Sequence, residues 1–317
     1  MAGLIDAVVG HRATWDMLQT QAKQGRMAHA LAFVGPSGIG KRKVAWALAQ
    51  ALVCEAVDAP CGVCPLCRRI ESQQSESVLS IEAAGSMIKI ESAQQILQFL
   101  NLQRLGRARV VIVDGAQWLN PQAGNSLLKI IEEPPPQTFF IFLLNEISQL
   151  MTTLRSRVQV IRFAPLSEVE LQRVSPEPAP TWMLRSARGS AEQLASFRDA
   201  HSEELRGSVL SYLRESLAGR RAGIGPVLEQ AKDREGALSA IHMLQQLLRD
   251  WSVAGSGSHA LIHTDLSSEL TQLPVASSEA RAELWKSAFQ MELDLASNVD
   301  KSLLFENFFY RARASVS

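Results

Sequence analysis

Short apolar runs alternate with longer amphipathic segments over the first half of the chain. The apolar runs predict buried strands at 31–34, 78–82, 110–114, 139–144 and 158–163. Between them, apolar residues recur at the spacing of a helix, which predicts helices at 41–53, 92–102 and 121–132. Strands that alternate with helices in this way indicate an α/β fold with a parallel sheet covered on both faces. Among the aromatic residues of this half, Trp46, Phe99 and Trp118 are predicted to pack in the core.

The pattern changes after residue 163. A short polar helix opens near 164–167, a Pro-rich loop follows at 175–180, and strand signals then disappear. Helical periodicity returns at 205–217, 236–254, 278–295 and 300–313. The sequence therefore predicts three domains, which are an α/β domain over 1–164, a small helical domain over 165–203 and an all-α domain over 204–317.

Composition narrows the class of protein. The 317 residues are 46% hydrophobic and 20% charged, which excludes disordered and collagen-like chains. Lysine plus arginine and aspartate plus glutamate each number 32, so the zero net charge gives no overall attraction to nucleic acid. The first ten residues lack the pattern of a secretory signal, and no apolar run reaches membrane-spanning length. We expect a cytoplasmic protein.

A glycine-rich segment lies between the first predicted strand and the helix that follows it. Gly35, Gly38, Gly40 and Lys41 have the spacing of a phosphate-binding P-loop, whose backbone N–H groups surround phosphate oxygens. The alternative is an ordinary glycine-rich turn. A complete P-loop continues with Ser or Thr, whose hydroxyl holds the magnesium of the nucleotide, but this chain has Arg42. Whether the loop binds ATP is left open by the sequence.

A second element of nucleotide chemistry follows the third predicted strand. Asp114 ends the apolar run 110–113, where a carboxylate helps to hold magnesium in P-loop proteins. A strand-end aspartate can also be a helix cap. Hydrolytic relatives carry a glutamate next, which activates water, whereas Gly115 stands here.

The cysteines form one cluster in the sequence. All four lie within fourteen positions, at Cys54, Cys61, Cys64 and Cys67. Four thiolates complete a tetrahedral zinc site and leave no open position for catalysis, so the spacing predicts a structural zinc ion. Buried free thiols and an iron–sulfur cluster are the alternatives.

Several further segments extend these motifs along nearly the whole chain. They are Val9-Gly10-His11, Met27-Ala28-His29-Ala30, Asn125-Ser126-Leu127-Leu128-Lys129, Glu132-Glu133-Pro134-Pro135, Ser156-Arg157 and Asn298-Val299-Asp300-Lys301-Ser302-Leu303. Together with the P-loop they resemble the AAA+ clamp-loader subunits of bacterial DNA polymerase III. The resemblance implies an AAA+ domain over 1–164 with a zinc-binding insertion at 54–67, a lid domain over 165–203 and an oligomerising collar domain over 204–317.

Two kinds of subunit share this family fold, an ATP-hydrolysing motor and a partner that does not hydrolyse ATP. Arg42 and Gly115 replace two catalytic groups of the motor, and Glu192 stands where the motor has its second sensor arginine. Asn145 matches the first sensor position and suits either kind. We therefore expect a non-hydrolysing subunit with a weak or vestigial nucleotide site. The alternative is a divergent ATPase motor.

The pair Ser156-Arg157 matches the family's arginine finger, which enters the ATP site of a neighbouring subunit. An arginine supplied in trans stabilises charge on the transferred phosphoryl group. Without the resemblance, Arg157 would be an exposed residue at the start of a strand. The resemblance implies gamma/tau-type ATPase and delta-type clamp-opening subunits as partners, and the sliding clamp and primed DNA through the complex.

Overall fold

The computed structural model describes residues 3–83, 87–103, 105–198, 200–220, 224–254 and 261–316. The chain divides into two compact units. Unit 1 comprises Met1–Pro176 with Arg188–Glu192, and unit 2 comprises Glu177–Ala187 with Gln193–Ser317. The segment 165–203 contributes to both units, and its predicted status as a separate lid domain stays a prediction.

Unit 1 contains one parallel sheet of five strands. The strands are β1 Ala30–Val34, β2 Val78–Glu82, β3 Arg109–Asp114, β4 Thr138–Leu144 and β5 Gln159–Arg162. Their order across the sheet is β2-β3-β4-β1-β5, with every neighbouring pair parallel. All five predicted strands are confirmed to within two residues at either end. The order places β1, which leads into the glycine-rich loop, between β4 and β5.

Seven helices accompany this sheet in the described part of unit 1. They are α1 Arg12–Lys23, α2 Lys41–Val53, α3 Pro65–Glu71, α4 Ile90–Asn101, α5 Pro121–Glu132, α6 Thr152–Arg155 and α7 Glu168–Val174. Local chemistry fixes their ends. Helix α5 begins where the Asn120 side chain accepts the backbone N–H of Ala123 at 2.7 Å, with Pro121 in its first turn. It ends before Pro134, which cannot continue a helix.

The core of unit 1 lies in two layers, one on each face of the sheet. Because side chains alternate along a strand, Leu31 and Phe33 join the layer that contains α1 and α2, whereas Ala32 and Val34 join the layer that contains α4 and α5. Every residue of β1 is buried. The strand that leads into the P-loop is therefore held from both faces and both edges.

One core prediction is wrong. Trp46 and Phe99 are buried, but Trp118 is 47% exposed. It lies in a 3-10 turn over Ala116–Trp118 that follows Gly115, and its ring covers that glycine at the surface. The turn places Trp118 outside the periodic helix pattern from which its burial was inferred.

Unit 2 is helical throughout its described residues. Its helices, with α9 beginning in unit 1, are α8 Thr181–Ser186, α9 Ala191–Ser196, α10 Ala200–Leu217, α11 Gly225–Gln230, α12 Arg234–Ala254, α13 Ser267–Thr271, α14 Ser278–Ala296 and α15 Lys301–Val316. The four long predicted helices are confirmed as α10, α12, α14 and α15. Tyr212, Phe305 and Phe308 are almost fully buried between α10 and α15, and the Tyr212 hydroxyl donates to the Phe305 carbonyl. Among the described helices, none is both long and apolar enough to cross a bilayer.

Candidate functional site

The glycine-rich loop has the backbone that a P-loop needs. Gly38 and Gly40 have φ values of 72° and 102°, in the left-handed region that residues with a Cβ rarely adopt. A Cβ on Gly35 would lie 2.4 Å from the carbonyl oxygen of Phe163, so the close approach of these two backbones requires glycine there. The three predicted glycines are thus needed by this conformation.

Lys41 opens α2 and is directed back into the loop. Its Nζ donates to the carbonyl oxygens of Gly35 and Pro36, both at 2.6 Å, and the residue is 8% exposed. Burial lowers the pKa of Lys41, while the carboxylates of Asp114 and Glu192 act in the opposite direction. The Lys41 ammonium group is therefore hydrogen-bonded within the loop, and its positive charge is stabilised by Asp114 and Glu192.

Arg42 occupies the position where the magnesium-binding hydroxyl would stand. Its guanidinium makes an ion pair with Glu82 and a second one, at 3.4 Å, with Asp114. Glu82 and Asp114 are register partners at the carboxyl ends of β2 and β3. Burial raises the pKa of Asp114, and the charge of Arg42 opposes that rise. The carboxylate expected to hold a metal ion thus faces a cation of the protein itself.

A segment of unit 1 beyond α7 lies against the loop. The Ala191 N–H donates to the Gly38 carbonyl at 2.9 Å, and the Ser37 hydroxyl donates to Glu192 at 3.3 Å. A Cβ on Gly38 would lie only 2.2 Å from Ser190 Oγ. Glu192, which lies at the position where the resemblance implies a sensor arginine, is therefore in direct contact with the loop.

The loop borders a cavity of ≈ 760 Å³. Its charged lining consists of three cations and three carboxylates, which are Lys41, Arg42, Lys43, Glu71, Asp114 and Glu192. Equal numbers of opposite charges give no excess positive charge for phosphate. The lining contains the strand-end carboxylate Asp114, but Arg42 and Gly115 stand at the positions where a hydrolytic P-loop protein carries a hydroxyl and a water-activating carboxylate.

The remaining predicted residues lie apart from this cavity. Asn145 is exposed and lines a smaller cavity of ≈ 390 Å³ together with Gly35 and Arg162. Ser156 and Arg157 follow α6 and are not among the described residues that line either cavity. The structure therefore brings together the loop, Asp114 and Glu192, and places the predicted finger elsewhere on unit 1.

Arg157 is partly exposed and held by its own chain. The guanidinium makes an ion pair with Glu132, and its Nε donates to that carboxylate at 2.6 Å. Nη1 donates to the Thr153 carbonyl at 2.7 Å and to Ser156 Oγ at 3.1 Å. The side chain is 35% exposed, so it remains accessible from outside the chain.

The four cysteines meet in space as their spacing predicts. All four Sγ atoms lie within 4.8 Å of one another, with Cys54 and Cys67 buried. The separations of Cys61 Sγ from Cys54 Sγ and Cys67 Sγ are 3.6 and 3.9 Å. Sulfurs at about 2.3 Å from a tetrahedral zinc ion lie roughly 3.8 Å apart, so the donor set fits zinc.

Backbone groups support the cysteine cluster. The Cys64 N–H points to Cys61 Sγ and the Cys67 N–H points to Cys64 Sγ, each at 3.4 Å. N–H groups of Val63 and Cys64 lower the pKa of Cys61 to about 6, whereas burial raises the pKa of Cys54 and Cys67. The first cysteine caps the end of α2 and the third caps the start of α3. Helix ends therefore fix two of the four thiols.

Sequence reasoning missed the acidic partners of the two arginines. Glu82 could have been found, because it ends a predicted strand just as Asp114 does, and the carboxyl ends of parallel strands meet at one edge of a sheet. Glu132 belongs to the motif Glu132-Glu133-Pro134-Pro135. No local signal connects it with Arg157, which lies 25 positions further on.

Comparison with known proteins agrees with this geometry. The family profile described as "DNA polymerase III, delta subunit" matches residues 10–167. The chain belongs to the family of clamp-loader subunits of bacterial DNA polymerase III, which are AAA+ proteins.

Relatives of two kinds are similar to this chain. It is 32% identical over 208 residues to DNA polymerase III subunit tau of Escherichia coli, a match that covers 61% of this chain and 32% of the relative. It is 27% identical over 277 residues to DNA polymerase III subunit delta' of Bacillus subtilis, a match that covers 83% and 84%. The chain thus spans about a third of the length of the tau relative.

A solved structure is also similar. It is a DNA polymerase III, gamma subunit-related protein from Thermotoga maritima, with a TM-score of 0.47 and 19% identity, covering 95% of this chain and 99% of that chain.

Proposed function

We propose that this chain is a non-hydrolysing, delta'-type subunit of a DNA polymerase III clamp loader. In this role Arg157, positioned with Ser156, enters the ATP site of a neighbouring gamma/tau-type subunit and stabilises charge on the phosphoryl group. The helical domain over 204–317 acts as the collar that joins the subunits, with a delta-type subunit as a further neighbour. The assembled complex loads the sliding clamp onto primed DNA, and the predicted cytoplasmic location is part of this proposal.

The observation that carries the proposal is the ion pairing of Arg42. In a hydrolysing subunit, Asp114 would help to hold magnesium and the residue at 42 would supply a hydroxyl. Here the Arg42 guanidinium contacts Asp114 and Glu82, so the carboxylate already faces a cation. Arg157, in contrast, is accessible at the surface. A chain that cannot complete its own site but exposes a finger is suited to complete another chain's site.

A zinc ion held by Cys54, Cys61, Cys64 and Cys67 is the second part of the proposal. The donor set supports it, because four clustered thiols close the coordination sphere of zinc. When bound, zinc would supply a structural cross-link between the end of α2 and the start of α3, with no open position for catalysis.

The experiment that tests the finger uses the assembled clamp loader. Complexes containing wild-type, Arg157→Ala or Arg157→Lys chain are first shown to have equal mass, and ATPase rates are then measured with clamp and primed DNA. We expect both variants to lower turnover by about 10³-fold, since lysine cannot reproduce the planar fork of donors. Unchanged turnover with Arg157→Ala would refute the proposal.

The tau relative supports a second candidate, an ATPase motor. Its identity to this chain, 32%, exceeds the 27% of the Bacillus subtilis delta' relative, although other delta' relatives reach 30–31%. An ATPase assay of the purified chain distinguishes the two candidate functions. The delta'-type proposal expects no magnesium-dependent ATP hydrolysis above background, whereas a motor would hydrolyse ATP and lose that activity on Lys41→Ala.

A further inference from the structure

We propose that Glu132 is a positioning residue for the arginine finger, an inference that rests on the function proposed for Arg157. The carboxylate of Glu132 holds the Arg157 guanidinium in one orientation, so that the finger reaches a neighbouring ATP site without first having to be ordered. Glu132 would act only through Arg157 and would contact no nucleotide.

The hydrogen bonds of Arg157 support a fixed orientation. A guanidinium has five N–H donors in one plane. Nε and Nη2 both contact Glu132 Oε1, and Nη1 donates to Thr153 O and Ser156 Oγ. In the described part of the chain, these contacts use four of the five N–H donors and leave one on Nη2 for an incoming acceptor. The plane of the guanidinium is set by contacts on two different helices and the turn after α6.

The place of Glu132 in its helix argues against a role in stabilising α5. It is the last residue of the helix, where the partial negative charge of the helix dipole opposes a carboxylate. The side chains of Glu132 and Arg157 are 45% and 35% exposed. Ion pairs as exposed as this one contribute little to the free energy of unfolding. Because Glu132 stabilises neither the helix nor the fold appreciably, we infer that its role is to orient the Arg157 guanidinium.

The neighbouring glutamate offers a matched control. Glu133 is exposed, follows Glu132 directly and makes no ion pair in the described part of the chain. Glu133→Gln removes the same charge from the same helix end without altering the contact to Arg157. General electrostatic effects would appear in both variants, whereas positioning of the finger would appear only in Glu132→Gln.

Preorganisation predicts a particular kinetic signature. Groups already oriented toward developing charge need no reorganisation in the transition state. Loss of Glu132 should therefore lower kcat of the assembled complex and leave KM for ATP unchanged, because the finger acts after the nucleotide has bound. We expect about a tenfold loss for Glu132→Gln and a larger one for Glu132→Ala, which removes both oxygens. Glu133→Gln should match the wild type.

A double-mutant cycle tests whether Glu132 acts through Arg157. Complexes of equal mass are prepared with Glu132→Gln, Arg157→Ala and both changes together, and clamp- and DNA-stimulated ATPase is measured. We expect the double variant to equal Arg157→Ala. A further loss in the double variant would overturn the inference, as would unchanged or faster turnover with Glu132→Gln alone.

The two proposals fail in different ways. If Arg157→Ala leaves turnover unchanged, the finger itself is wrong and the inference falls with it. If Arg157→Ala is slow but Glu132→Gln is normal, the finger stands and only the positioning role is wrong. Unfolding curves of the isolated Glu132→Gln and Glu133→Gln chains should coincide, which separates positioning from a loss of fold.

Discussion

The two ends of α2 carry two candidate sites that differ in completeness. At the start of the helix, Lys41 and Arg42 already contact carbonyls and carboxylates of the chain. At its end, Cys54 faces three other thiols and forms a set of four donors of the kind that zinc takes. One helix therefore joins a site whose charges are satisfied internally to a site that a metal ion would complete.

The comparison shows that the backbone conformation of a P-loop can be kept when the side chains that bind magnesium are replaced. The loop at the start of α2 keeps the left-handed glycines and close backbone approach of a P-loop, although its ligands for magnesium are replaced. A backbone conformation can persist when packing requires it, because the loop also supports β1 and the segment at Ser190. Cys54 and Cys67 are also fully buried, but the four sulfur atoms together form a donor set that could hold a metal ion.

The largest effect should come from the cysteine end. We expect one zinc ion per purified chain, and we expect Cys64→Ser or removal of zinc by chelation to destabilise the insertion by several kcal/mol, since metal binding is coupled to local folding. The sheet should stay folded because the cluster closes a local loop. Elemental analysis, together with hydrogen exchange of residues 54–67 and of β1, measures both. Iron or no metal in chelator-free preparations would contradict the zinc assignment.

A smaller effect should separate two glycines of the loop. Gly38→Ala combines a left-handed φ with a Cβ 2.2 Å from Ser190 Oγ, so we expect a loss of about 2–3 kcal/mol in the free energy of unfolding. Gly40→Ala has nothing within 4 Å of its Cβ and should cost only the backbone strain, about 1 kcal/mol. Urea denaturation compares them. Equal losses would mean that the contact with Ser190 does not constrain the loop.

The charges at the start of α2 should give a pH-dependent effect. Burial holds the pKa of Asp114 above its unfolded value, so ionising this carboxyl costs stability as the pH rises through that range. Removing the Arg42 charge raises the pKa further and enlarges the cost. Arg42→Ala should therefore destabilise the chain by about 1 kcal/mol at pH 8 and by less below pH 4. Lys43→Ala is the control, because Lys43 is exposed and has no ion pair in the described residues. A loss that is independent of pH would point to packing instead.

The smallest effect should come from the contact between Ser37 and Glu192. The hydroxyl and carboxylate are 3.3 Å apart and exposed, so Ser37→Ala should change the free energy of unfolding by no more than about 0.5 kcal/mol. Thermal unfolding is sufficient to measure it. A loss approaching that of Gly38→Ala would mean that this hydrogen bond holds the loop closed.

The sequence predicts the fold of this chain better than it predicts the site. Apolar runs identify the central strands β1, β3 and β4 because these strands are buried on both faces, and helical periodicity identifies α2, α5 and the long helices of unit 2. The predicted burial of Trp118 was wrong because Gly115, which has a positive φ, is followed by a 3-10 turn and not by a helix. Motif spacing brings the cysteines together correctly, since their contacts are local.

The acidic partners depend on contacts between distant segments. Glu82 meets Arg42 only because β2 and β3 are neighbours in register, and Glu132 meets Arg157 only because the ends of α5 and α6 converge. Neither pairing has a local pattern in the sequence. Strand order would have indicated the first, but the second requires the structure.

The strand order also has a consequence for synthesis of the chain on the ribosome. β1 pairs only with β4 and β5, so its edges stay open until residues 138–162 have been made. The cysteine loop, in contrast, is complete once Cys67 has emerged and needs no later residue for its sulfur contacts. Domains fold as units only when their long-range contacts become available, and local loops close far sooner. The order β2-β3-β4-β1-β5 thus lets the cysteine loop close before any two strands of the sheet can pair, while the strand before the P-loop waits longest for its neighbours.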